Sequence, residues 1–354
     1  MAPRRSCQPA GPSAAAGFGR PPGGAGGGTV STQGRDLALA GFVAAALLSG
    51  LVAGGPALAP AEAMATLLGG GTPEAATIVF SLRLPRVLLA AGVGAALALA
   101  GAALQSLLAN PLADPFLLGV SGGGAAAATA AYAVLPASLL GVVPAAAMAG
   151  AAGATAAVWW MARGPFGTSS TRLILAGVAA NAFTSAMILA ILATAPSPRL
   201  PGALAITMGS FAGASSSAVA WLAPYLAVPM AVLAYHARDL GLLALGEESA
   251  AALGVEPAAV RRRVFLAAAA LSGGAVAFAG VIGFVGLATP HLCRLLWGND
   301  VRRLLPRVAL AGAGLTVLGD LVARRLLSPV ELPVGVVTAL LGVPFFVALL
   351  RRAP

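Results

Sequence analysis

The side chains best suited to bind metals or move protons are sparse in this sequence: two His, two Cys and eleven Asp or Glu among 354 residues. His291, in TPH, comes first, because an ionisable ring inside an apolar run is costly and often serves a proton relay or a metal. A metal site needs several ligands, however, and His236 belongs to a different connection. Pro290 interrupts the helix just before His291, so a hydrogen bond from the ring to the freed backbone is the structural reading. Asp320 and Arg324 stand four apart, the spacing of an intrahelical ion pair. Cys7 lies in a low-complexity tail and Cys293 in an apolar run, which indicates neither a disulfide framework nor a metal cluster. No HExxH pattern or Ser and His pairing points to an embedded enzyme. All 21 basic residues are Arg, and a chain without Lys has no Lys-bearing P-loop. Any ATP consumed must therefore be hydrolysed by a partner, and no cofactor or metal is expected.

The elements that must position these residues follow from composition. At 59% hydrophobic and 9% charged, with a mean hydropathy of +0.92, the chain cannot present a water-exposed globular surface. Lipid is its solvent. A span takes about 20 apolar residues, and candidates lie near 37–56, 84–108, 116–135, 139–162, 172–195, 218–235, 263–281, 282–297, 306–326 and 334–350. The expected fold class is all-α: a polytopic membrane protein of about ten helices. Residues 1–35, rich in Gly, Pro and Ala, read as a disordered tail, and 36–354 as one transmembrane domain. A cleaved signal peptide is the rival reading of the first apolar run, but that run is long enough to span and more spans follow.

The net charge of +10 does not indicate nucleic acid, because the arginines are scattered between apolar runs rather than gathered on one face. They read as topology signals. With ten spans and both termini cytoplasmic, 16 arginines fall inside and five outside: Arg83, Arg86, Arg199, Arg324 and Arg325. Two connections are more than bare loops. Residues 239–257, DLGLLALGEESAAALGVEP, mix apolar positions with Glu247, Glu248 and Glu256, a pattern for one or two short amphipathic helices on the cytoplasmic face. Residues 200–215, LPGALAITMGSFAGAS, suit a re-entrant or interfacial helix on the outer side. In NPLADPFLLG, Pro111 and Pro115 prevent continuous helix while Asn110 and Asp114 supply caps, giving a sharp re-entry. Ser121 and the glycines after it permit close backbone approach at the start of the third span.

Four blocks in order carry a family resemblance: RLPRVLLAAGVGAALALAGAALQSLLANPLADPFLLGVSGG (83–123), LALGEESAAALGV (243–255), GFVGLATPHLCRLL (283–296) and ELPVGVVTALLGVPFF (331–346). Together they resemble the FecCD-type permeases, membrane subunits of ABC importers for iron-siderophores, haem and cobalamin. The resemblance implies the type II ABC importer permease fold in a bacterial cytoplasmic membrane. It also implies a second permease subunit, identical or paralogous, two cytoplasmic ATP-binding subunits and an extracytoplasmic substrate-binding protein. On that reading Gly246, Glu247, Glu248, Ala251, Leu253 and Gly254 form the segment that couples to the ATPase. Asn110, Pro111, Asp114, Pro115, Ser121, Met208 and Phe211 are pathway or gate candidates. Glu62, Glu74 and Glu331 are candidates for docking the binding protein. The alternative is an ion-coupled secondary transporter, which usually places carboxylates or His at mid-membrane, whereas almost all the acids here fall in connections and span ends.

Overall fold

A computed structural model describes residues 31–54, 58–164 and 167–350. The expected tail lies outside these up to residue 30, as do Cys7 and the terminal Arg351 and Arg352. The chain is an all-helical bundle whose ten apolar helices we number α1 (Thr32–Val52), α2 (Leu84–Leu107), α3 (Val120–Val134), α4 (Val143–Ala162), α5 (Ser170–Thr194), α6 (Ser216–Tyr235), α7 (Pro257–Ala279), α8 (Val285–Trp297), α9 (Val301–Arg325) and α10 (Val334–Leu350). Helix α1 begins at Thr32, ahead of the apolar run expected near 37–56, where the Ser31 hydroxyl accepts from the Gly34 N–H and caps it.

Among the described residues, seven helices are long and apolar enough to cross a membrane. Helices α3, α8 and α10 are shorter, and each follows a break in the long-helix pattern: the turn Pro115–Leu118 before α3, the largely sheltered stretch 280–284 before α8, and the mostly exposed stretch 326–333 before α10. Non-helical backbone is tolerated at membrane depth only in shelter such as that of 280–284.

Helix α2 is the centre of the bundle, packed against α9, α7, α8 and α6. Its small residues allow this. A Cβ at Gly101 would collide with the Gly286 carbonyl of α8, and one at Gly94 with the Gly312 carbonyl of α9. Without a hydrophobic drive between helices in lipid, such close backbone approach supplies the association energy. Helix α2 is also longer than the expected 84–108, running without a break from Pro73 to Leu107. Residues Thr77–Arg83 adopt a π-helical turn, whose wider winding relieves the clash between the Pro85 ring and the carbonyl four residues back.

Side-chain contacts fix how the spans alternate. On one side, Arg307 holds Asp36 through two bonds of 2.7 and 2.8 Å, Arg35 donates to the Leu296 carbonyl, and Arg294 donates to Gln105. This gathers the start of α1, the ends of α2 and α8, and the start of α9. On the opposite side, all five arginines counted as outer are consumed by the fold. Arg83 donates to the Leu51, Val52 and Leu58 carbonyls, Arg324 to Gly54 and Arg325 to Ala53, so they close the C-terminal end of α1. Arg199 does the same for α3 through the Tyr132 and Leu135 carbonyls. Cations belong at helix C-termini, where carbonyls lack partners and the dipole is negative. Four of the five exceptions to the arginine asymmetry are thus structural caps, and the fifth, Arg86, is held in an ion-pair network.

The expected Asp320–Arg324 pair is present at 3.0 Å, within a larger network. Arg86 also grips Asp320 at 2.9 Å and reaches Glu331 at 2.9 Å. His291 does not make the hydrogen bond expected of it: among the described residues its ring has no partner, whereas His236 pairs with Asp239 at 2.8 Å.

Candidate functional site

Three segments, two irregular and one a short helix, meet at one cavity of about 540 Å³. The first is the loop after α2, where Asn110 accepts from the Leu112 N–H at 2.9 Å and Asp114 from the Phe116 N–H at 2.7 Å. These turns aim Pro115 at α8, against Gly286. The second is the re-entrant helix Leu200–Met208, which ends at Gly209 with φ +71°. The third is the stretch 280–284 between α7 and α8. A Cβ at Gly335 of α10 would collide with the Met208 carbonyl, so α10 closes on the tip of the re-entrant helix. Asp114, Phe116, Met208, Phe284, Leu287 and Val336 all line the resulting space, whose walls are mostly apolar.

Of the pathway candidates, the structure brings Asp114 and Met208 to this cavity. Pro115 supports it from behind. Asn110 and Pro111 shape the loop, and Ser121 is buried at the foot of α3. Phe211 is a correction: it is only 1% exposed and packs in the bundle core, because the turn after Gly209 folds it back onto neighbouring helices. It does not line this cavity.

Phe284 is the residue that sequence reasoning missed. It sits at φ +67°, a left-handed conformation costing a bulky residue on the order of 1–3 kcal/mol. The strained backbone holds its ring against Gly342 of α10 and beside the cavity. The other non-glycine residue with positive φ among the described residues is Ala109, which opens the loop carrying Asp114. Both strained positions therefore flank the same site. Gly283 preceding Phe284 was the available signal.

Asp114 lies between spans, and burial pushes its carboxyl up to about 6, offset in part by the Phe116 N–H that favours the ionised form. An acid whose folded pKa is raised contributes stability below its unfolded value, about 4, and loses it as pH rises through 6. Over that window the loss is on the order of 2–3 kcal/mol. Asp114→Asn keeps the acceptor for Phe116 but removes the proton equilibrium, so its thermal stability should vary less between pH 4 and 7 than the parent's. Asp114→Ala should lose the cap as well, about 1 kcal/mol. Melting curves of the three proteins across pH test this; parallel curves for parent and Asp114→Asn contradict it.

The 239–257 connection forms two short helices, Ala237–Leu243 and Glu247–Ala252. Gly246 (φ +113°) and Gly254 (φ +82°) bracket the second, in conformations that L side chains rarely adopt. Glu247 is held by Arg261 of α7, and Ala250 is buried beneath. Glu248 and Ala251 are exposed, and Leu245 and Leu253 expose 70% and 59% of their surface. Two large apolar side chains displayed beside carboxylates suit a docking face. On the other side of the bundle, Glu62 and Glu74 are exposed, whereas Glu331 is shared with Arg86 and 46% exposed.

Residues 42–352 match the FecCD transport family. The chain is 41% identical to the vitamin B12 import system permease protein BtuC of Escherichia coli over 322 residues, 90% of this chain and 94% of that one. It is 41% identical to the hemin transport system permease protein HmuU of Yersinia pestis over 281 residues, covering 78% and 83%. A solved metal-chelate type ABC transporter in an inward-facing conformation superposes with TM-score 0.79 at 31% identity, covering 90% of this chain and 98% of that one. With the bundle, the match over nearly every span and relatives of the same length in agreement, this chain belongs to the FecCD transport family and is a multi-pass permease of the ABC importer class.

Proposed function

We propose that this chain is one of two permease subunits of an importer for a bulky metal chelate, an iron-siderophore or a related haem or cobalamin compound. The observation that carries this reading is the cavity of about 540 Å³ where the loop after α2, the short helix Leu200–Met208 and the stretch 280–284 meet. Its walls suit a large ligand contacted through many weak apolar surfaces. The second permease, identical or paralogous, completes the path across it. The arginine-rich side faces the cytoplasm, with both termini there. On that side the Gly246–Gly254 segment seats in a cytoplasmic ATP-binding subunit, its exposed apolar residues docking while Glu247 and Glu248 meet basic groups. On the other side, Glu62 and Glu74 receive a loaded extracytoplasmic binding protein, with Glu331 sharing its charge between that partner and Arg86. Membership of an ABC permease family gives the ion-coupled alternative no support.

The cargo class is tested in a host deleted for this chain by uptake of a radiolabelled ferric siderophore, of cobalamin and of haemin. Uptake of one should fall to background and return with the chain supplied from a plasmid, and cavity variants Met208→Ala and Phe284→Ala should lower it. Retention of all three at parental rates would rule the reading out.

A further inference from the structure

A second cavity, of about 520 Å³, lies between α4, α6 and α7 and shares no lining residue with the first. Its floor is made of small residues, including Ala151 and Ala152 of α4 and Gly273 and Gly274 of α7, and Tyr225 of α6 forms one wall. At its arginine-rich end stand Arg163 and Arg262, both exposed and both lining it. Neither guanidinium has a hydrogen bond or ion pair among the described residues. Trp159 and Trp160 lie one helical turn deeper; Trp159 packs on Phe265 with ring centroids 5.3 Å apart, while Trp160 faces outward.

The dimensions identify the occupant. From Arg262 to Gly274 the groove follows α7 for about 18 Å at 1.5 Å per residue, close to half of the roughly 30 Å hydrocarbon core. A partner helix would run the full thickness, whereas one acyl chain runs half. Two arginines at the mouth match a phosphate, and tryptophans at that depth match the headgroup boundary. We infer that this groove is a binding site for an anionic glycerophospholipid of the leaflet on the arginine-rich side, its phosphate held by Arg163 and Arg262 and one acyl chain lying along α7. The site adjoins the coupling segment, since Arg262 follows Arg261, the residue that holds Glu247.

The full chain in nanodiscs of phosphatidylglycerol and phosphatidylcholine with identical acyl chains, released into native mass spectrometry, tests the assignment. The parent should retain phosphatidylglycerol about tenfold over phosphatidylcholine. Arg163→Ala with Arg262→Ala should abolish that preference, and the corresponding double Lys variant should keep most of it. Equal retention of the two lipids by the parent, or an unchanged preference in a folded double Ala variant, overturns the proposal. A photoreactive benzoylphenylalanine at Leu266 should capture lipid; capture of a second copy of the chain or of another subunit's helix overturns it equally.

Discussion

Asp320→Ala is expected to leave little folded permease in the membrane. Asp320 is 1% exposed and answers two guanidiniums at once, Arg86 from α2 and Arg324 from its own helix. Removing the carboxylate leaves both cations close together in a buried pocket, with the half-exposed Glu331 and the Gly54 and residue-320 backbone carbonyls as their remaining acceptors. Breaking a buried charge network in this way costs about 3–5 kcal/mol, a large part of a typical folding free energy of about 5–15 kcal/mol. Asp320→Asn, which keeps the acceptor and loses the charge, should fall between. Glu331→Gln should change stability by less than about 1 kcal/mol, as for other solvent-facing pairs. Membrane abundance and thermal unfolding in detergent check the series; an Asp320→Ala protein with parental abundance and melting temperature contradicts the network's importance.

Gly254→Arg should have the opposite profile, with normal abundance and little transport. The position is open, since a Cβ there meets nothing within 4 Å. Its strain is confined to one left-handed residue and costs about 1–2 kcal/mol. The bundle tolerates that. A partner seated on Leu253 and its neighbours does not tolerate a guanidinium, and loss of at least about 1.4 kcal/mol of docking energy lowers uptake tenfold or more. Gly254→Ala separates the two contributions, because it carries the backbone strain without the bulk or charge and should keep most of the activity. Uptake per folded molecule is the readout, and parental uptake by a well-expressed Gly254→Arg protein removes the coupling assignment.

The parts of this architecture legible in the sequence are those written locally. Apolar runs of span length announce themselves, and so does a segment like LALGEESAAALGV, too polar to cross and too apolar to stay free. The two helices flanking Gly246 arose where that pattern placed them. What was hidden depends on residues far apart. Arg83 and Arg86 read as outer topology charges at the start of a span, yet the helix continues N-terminal to both, and their partners lie on α1 and α9. The i, i+4 spacing of Asp320 and Arg324 disclosed one pair but not the third member, 234 positions away. Phe211 lies away from the cavity for a related reason. Hydropathy does not tell an apolar side chain facing a cavity from one facing the core, and the turn at Gly209 decides between them. Phe284 is defined by its backbone dihedral rather than its residue type.

On the function proposed above, this chain is a passive path whose energy enters at the Gly246–Gly254 segment from a partner's ATP hydrolysis. Reconstituting it with its ATP-binding subunits and binding protein, and following cargo uptake into vesicles, tests that most directly. Uptake should stop when ATP is withheld and continue when an uncoupler collapses the ion gradients. Uptake that persists without ATP and disappears with the uncoupler would contradict it.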